Sequence, residues 1–258
     1  MKKHILLVVA VMSAFILKAG DKNLASHGGG GDSKLTIGIS VGAALPMGDY
    51  AKKDTTGLAS SSDTTKTSRG AGWANTGFHF DVTASYMFSD HIGAQLMIGG
   101  NLNSFDNATY MTAYGYKSPI TYTQNNWYVG QYLVGPVLSF GDKLKINIRV
   151  LVGYVASGAP TATQSNGQSG SSGYSVTNTA DGGGSGFGYN FGAGIKYNFT
   201  DKMGLLVNVD YLGSSLLYTG YKVSGNYYGF NVDGSHPTIK TAMALGILNA
   251  SVGLAINL

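Results

Sequence analysis

Along eight segments of this chain, every second residue is bulky and apolar and the residues between are small or polar. In residues 77–88, Phe78, Phe80, Val82, Ala84, Tyr86 and Phe88 fall on one face, with His79, Asp81, Thr83, Ser85 and Met87 on the other. Residues 187–199 set Phe187, Tyr189, Phe191, Ala193, Ile195, Tyr197 and Phe199 against Gly188, Asn190, Gly192, Gly194, Lys196 and Asn198. Strand side chains alternate between two faces, so a period of two predicts strands with one apolar and one polar face. The pattern predicts strands over 34–45, 77–88, 91–102, 127–140, 143–156, 187–199, 202–212 and 242–258. Segment 127–140 is the least regular, because Val129, Leu133 and Val137 fall on its polar face.

Three related sequences punctuate these strands: Phe88-Ser89-Asp90-His91, Phe140-Gly141-Asp142-Lys143 and Phe199-Thr200-Asp201-Lys202. A small residue followed by Asp forms turns readily, so each predicts a tight hairpin. Four long connections, 46–76, 103–126, 157–186 and 213–241, lie at the opposite end and are rich in Ser, Thr, Gly, Asn and Tyr. Loops of that length are uncommon in a compact soluble domain. Short turns at one end and long loops at the other are the plan of a bacterial outer-membrane barrel.

Alternation alone does not say which face meets water. A soluble, lipocalin-like barrel would turn its apolar face inward, and the pair Gly72-Trp73 is similar to a lipocalin signature, but it falls in a connection. A water-facing exterior needs a dense cover of charge. Here charged residues are only 12% of the chain, glycine numbers 39 of 258 residues, and the polar face is mostly Gly, Ser, Asn and Thr. Small residues suit a narrow interior. Large Phe, Tyr, Ile, Leu and Val on the other face suit lipid, with aromatics at the interfaces. Hydrocarbon offers no hydrogen-bond partners, so such a sheet must close on itself. The predicted fold is all-β: an eight-stranded antiparallel up-and-down transmembrane β-barrel, with a bore that side chains nearly fill.

Lys2 and Lys3 precede an apolar run from Ile5 to Leu17, which reads as a secretory signal peptide. The expected division is residues 1–19 signal peptide, 20–33 flexible lead-in and 34–258 barrel, with cleavage somewhere between Ala14 and Ala25. Loss of residues 1–19 removes Lys2, Lys3 and Lys18 and no acid, leaving 14 bases against 13 acids. The basic pI of about 9.0 therefore comes largely from the leader and gives no support to nucleic-acid binding. Cysteine is absent and every acid is Asp, so thiolate sites and motifs that need Glu are excluded.

The arrangement resembles the small outer-membrane β-barrel proteins of the OmpA/OmpX-like group. Gly38-Ile39-Ser40-Val41-Gly42-Ala43-Ala44-Leu45-Pro46-Met47-Gly48-Asp49-Tyr50 is similar to the first strand and loop start of porin-family barrels of Bacteroidota type. Gly135-Pro136-Val137-Leu138-Ser139-Phe140 resembles a middle strand of the same group. The resemblance implies residence in the bacterial outer membrane. It implies contact with outer-membrane lipid and lipopolysaccharide, and delivery by the barrel-insertion machinery. In place of the family's usual aromatic terminal residue stands Leu258. The expectation is a monomer with no periplasmic wall-binding domain after the last strand.

The expected lumen network is His79, Asp81, Gln95, Lys145, Arg149, Lys196, Asn208 and Asp210. Counted from the turns, Asp81, Arg149 and Asp210 fall near mid-height, Lys145 and Lys196 nearer the periplasmic mouth, and His79 towards the loops. Buried charges pair because isolated ones are costly, so the first reading is a lumen plugged by polar side chains. The protein then has a structural or cell-surface interaction role. The alternative is a narrow porin-like passage for water, ions or very small solutes. His79 and Asp81 share a face, but no nucleophile elbow, H-E-x-x-H, Walker loop or calcium loop is present. No enzymatic activity, cofactor or metal is expected. Tyr110, Tyr114, Tyr116 and Tyr122 in one connection, and Tyr218, Tyr221, Tyr227 and Tyr228 in another, could bind an extracellular ligand. The reading favoured over it is that these rings extend the barrel as protruding strands and pack on each other.

Overall fold

The computed structural model describes residues 34–54, 68–69, 71–158, 160–168, 170–180 and 182–258; the expected signal peptide and lead-in lie outside them. The strands are β1 (Leu35–Met47), β2 (Ser68–Arg69), β3 (Gly77–Met87), β4 (Ile92–Asn103), β5 (Thr121–Gln124), β6 (Trp127–Phe140), β7 (Leu144–Gly158), β8 (Ala162–Ser165), β9 (Tyr174–Ala180), β10 (Gly184–Asn198), β11 (Met203–Tyr227) and β12 (Phe230–Asn257). A short helix, α1, spans Asn107–Ala113. Eight strands form a closed ring in the order β1-β3-β4-β6-β7-β10-β11-β12, each antiparallel to its neighbours. β1 closes it against β12, from Thr36 opposite Asn257 to Met47 opposite Gly246. An eight-stranded up-and-down barrel is therefore the fold, and closure leaves no sheet edge facing lipid.

Two of the three turns share one piece of chemistry. Ser89 Oγ accepts from the Ile92 amide at 3.2 Å, and Thr200 Oγ1 accepts from the Met203 amide at 2.9 Å. In each, a hydroxyl three residues back caps the start of the next strand. The third turn has no hydroxyl at that position and instead uses Gly141 at φ +96°, where a Cβ would collide with the Leu144 carbonyl.

Ile39, Val41, Phe80, Ile146, Ile148, Val150, Phe191, Val207, Val209, Val252 and Leu254 all stand exposed on the outside of the ring. Phe88, Phe140, Tyr197 and Phe199 gather beside the short turns, and Tyr128, Tyr132, Tyr154 and Phe187 near the opposite rim. An apolar belt between two aromatic girdles is a surface made for a bilayer. Ile148 lies in this belt and its neighbour Arg149 lies inside. Ile148→Arg should therefore cost about 2–4 kcal/mol in vesicles, as expected for a charge near the midplane. Urea unfolding in vesicles measures this, and an unchanged midpoint would mean that this face is not in lipid.

Above the ring the structure departs from the sequence reading. Alternation makes residues 213–241 a loop, yet β11 and β12 run through them as one hairpin, pairing until Tyr227 meets Phe230. The tip is the two-residue turn Tyr228-Gly229, both at positive φ (51° and 89°). That backbone matches the twist of a hairpin, and Asn226 Oδ1 accepts from the Gly229 amide at 3.0 Å. β9 pairs with β11 over Tyr221–Tyr227, β8 with β9, and β5 with β8. Parts of the connections 103–126 and 157–186 thus become strands of a sheet standing on the rim. Alternation missed these segments because they are polar on both faces.

Candidate functional site: the barrel lumen

Even-numbered residues of β1 and odd-numbered residues of β3 point inward, and the register carries this around the ring. Two kinds of layer fill the bore. In the half nearer the short turns, Arg149 of β7 reaches across β10 to Asp210 of β11, with Nε to Oδ1 at 2.7 Å and Nη2 to Oδ2 at 2.5 Å. Both side chains are almost fully buried. Arg149 Nη1 also donates to Asn208 Oδ1 at 3.2 Å, and Asn208 Nδ2 donates to Ser40 Oγ at 3.4 Å. The fork of a guanidinium matches the two carboxylate oxygens, which makes this pair directional. Gly192 lies opposite Arg149 on one side and Asp210 on the other, and a Cβ there would collide with Asp210 Oδ1. The glycine opens the space through which the pair is made.

A second cluster sits on β3 and β4. His79 Nε2 lies 2.9 Å from Asp81 Oδ2, and His79 Nδ1 lies 2.9 Å from Asn101 Oδ1. Both ring nitrogens are engaged, and the imidazole is 1% exposed. Neither nitrogen is therefore placed to activate a hydroxyl nucleophile. No group of three His, Cys, Asp or Glu able to hold a metal exists among the described residues. Nearer the short turns, Lys196 Nζ donates to Asn257 Oδ1 at 3.0 Å and Thr36 Oγ1 at 3.3 Å. Lys145, Gln95, Arg149, Lys196 and Asn208 line a cavity at that mouth. The eight residues expected in the lumen thus divide into an ion-pair group, a His–Asp group and a basic mouth.

Sequence reasoning did not foresee the layer above them. Met97, Leu133, Leu151, Val155, Leu212, Leu216, Leu245 and Ile247 are buried inside the ring as one apolar cluster with Trp127, Tyr50 and Tyr218. Met97 is opposite Leu133, and Leu212 opposite Ile247, so the layer spans the bore from both sides. Its signal was present: Val129 and Leu133 interrupt the polar face of β6, and Leu151 that of β7. The amides of Asn190, in register with Leu151 and Leu212, and of Asn249, in register with Asp210, and the hydroxyl of Ser251 are buried without a partner among the described residues. Groups of this kind hold ordered water in protein interiors.

The tyrosines also divide. Tyr110 stacks on Tyr122 with ring centroids 4.3 Å apart, Tyr114 lies 4.4 Å from Tyr110, and Trp73 packs edge-on to Tyr110 at 5.1 Å. Burial pushes the Tyr122 phenol up to about 12 and the Tyr110 phenol higher still, so this cluster is neutral across physiological pH. Tyr218 is buried against Trp127 inside the rim. Tyr227, Tyr228 and Phe230 are exposed at the hairpin tip, beside the buried Tyr174.

A closed ring, greased outside and filled inside, defines a transmembrane β-barrel of the bacterial outer-membrane class. No family model matches the sequence, and no curated protein matches it. Among solved structures, it is similar to Neisserial surface protein A, at 12% identity over 89% of this chain and 100% of that one, with a TM-score of 0.43. It is similar to a major outer membrane protein from Thermus thermophilus, at 10% identity over 86% and 98%, with a TM-score of 0.47. It is also similar to the outer membrane protease OmpT from Escherichia coli, at 8% identity over 87% and 96%, with a TM-score of 0.48.

Proposed function

We propose that this barrel is a closed, non-enzymatic pedestal whose work is done outside the membrane, by the sheet that β11 and β12 raise above the rim. One observation carries the reading. These strands run for 25 and 28 residues, whereas a tilted membrane strand needs only about 9–11. More than half of each is therefore spent beyond the bilayer. The tip presents the exposed rings of Tyr227, Tyr228 and Phe230 beside Asn226 and Asn231. Rigid aromatic faces with amide groups beside them suit contact with a cell-surface partner at low entropy cost. The filled lumen supports the same reading, since a transport route would run through it. So does the resemblance of residues 38–50 and 135–140 to OmpA/OmpX-like barrels of Bacteroidota type.

The test is adhesion. Cells displaying the protein should bind cell monolayers, or one another, above a vector control. Tyr227→Ser/Tyr228→Asn/Phe230→Ser should return adhesion to the control level, with the same amount of folded, heat-modifiable barrel in the outer membrane. Adhesion unchanged by the triple substitution would remove the tip from the account. A second reading, slow passage of water or small ions, is favoured by the unpartnered polar groups of Asn190, Asn249 and Ser251 at mid-lumen.

A further inference from the structure

We propose that the hairpin tip is a lectin-like site for an uncharged glycan of gluco- or galacto-configured pyranoses; this rests on the tip being the contact surface and names what it contacts. Tyr227 is directly opposite Phe230 at the end of the hairpin, so the two rings lie side by side on one face. Tyr228 stands edge-on to Tyr227, with ring centroids 4.7 Å apart and planes at 78°. All three are exposed, Phe230 at 76%. The C–H-lined face of such a pyranose carries slight positive charge and stacks on the negative face of an aromatic ring. Asn231 and Ser171, both exposed, add groups that hydrogen-bond sugar hydroxyls, and Ser171 lies against Gly229 in the turn.

A second observation is independent of exposure. A two-residue hairpin turn with positive φ at both positions favours Asn-Gly, yet its first position is Tyr228, at φ +51°. A bulky residue in that region is strained, and strain of this kind gathers at ligand sites. The surroundings hold it in place. The Tyr228 amide donates to the Gly173 carbonyl at 2.8 Å, and the buried Tyr174 ring packs against Tyr227 at 5.8 Å and Tyr228 at 5.7 Å. The turn thus keeps a ring where an asparagine would fold better, and fixes that ring before any ligand arrives.

Charge and size select the glycan. β11 and β9 bring residues 223–232 and 166–176 together, and neither stretch contains an Asp, Lys, Arg or His. A stable protein interface takes about 20–30 residues a side, several times what three rings and their neighbours offer, whereas one or two sugar rings cover them.

The experiment uses the full-length barrel refolded into phosphatidylcholine nanodiscs, and albumin carrying cellotriose or galactotriose, with bare albumin as the blank. Biolayer interferometry should show saturable binding to at least one glycoconjugate. Free trisaccharide should release it, and it should not change between about 0.05 and 0.5 M salt, since no charge takes part. Tyr228→Asn should weaken binding about tenfold and leave the Tm equal or higher, because Asn suits the turn. Phe230→Ser, at the most exposed ring, should weaken it as well. A Tyr228 with only a structural role would give unchanged binding in Tyr228→Asn, and that result would overturn the proposal. Binding to neither glycoconjugate, or binding that falls away with salt, would overturn it too. If neither sugar binds but cells still adhere through Tyr227, Tyr228 and Phe230, the tip contacts a protein and only the glycan is lost. If adhesion also ignores the triple substitution, the contact surface itself lies elsewhere.

Discussion

Reconstituted in a planar bilayer, the native protein should pass no sustained current, and Leu133→Gly/Leu151→Gly/Leu212→Gly should give discrete conductance steps. The three leucines are almost fully buried inside the ring and belong to its apolar layer. An ion entering that layer loses its hydration and finds no polar replacement, a cost of many kcal/mol that closes the path. Removing three isobutyl groups leaves room for a continuous column of water. Asn190, in register with Leu151 and Leu212, and Asn249 and Ser251 are ready to solvate it. The substitutions leave the outward belt and the backbone ladder untouched, so the variant should still shift on gel with heating. Discrete steps of current from the native barrel would show that the layer is not a seal, and the pedestal reading would lose the support of a filled lumen.

Asp210→Ala should destabilise the barrel by about 3–5 kcal/mol, because it strands the Arg149 guanidinium in a buried site. Equilibrium unfolding in urea from detergent or vesicles measures it. The double variant Arg149→Leu/Asp210→Leu should lose far less than the single one, since an apolar pair carries no unpaired charge. Single and double changes together form a cycle that isolates the coupling. If Asp210→Ala costs less than about 1 kcal/mol, in the range of an exposed pair, the Arg149–Asp210 contact is solvated and the lumen is wet at that height. Gly192 gives this cycle its geometry, because any side chain there would occupy the position of the Asp210 carboxylate.

The chain's alternation was enough to predict eight strands and, with the need to satisfy every backbone group in hydrocarbon, the closed ring. A residue at an odd or even position meets lipid or lumen, and the hydrocarbon enforces that division strictly. Segments outside the bilayer obey no such rule. Over 221–235 neither face is buried, so the alternation fades, and that part of the hairpin shows itself only in its pairing, from Tyr221 opposite His236 up to Tyr227 opposite Phe230.

Alternation assigns each residue to one face of its strand but says nothing of its company across the ring. Arg149 and Asp210 are 61 positions apart and on strands that are not paired with each other, joined because Gly192 leaves space between them. Leu133, Leu151 and Leu212 are apolar exceptions on the polar faces of three separate strands. They become one layer once strand tilt and register bring them to similar height. Period-two alternation is a local property that solvent imposes on each strand. Who meets whom across a bore depends on the shear with which the sheet closes, and that is a property of the whole ring.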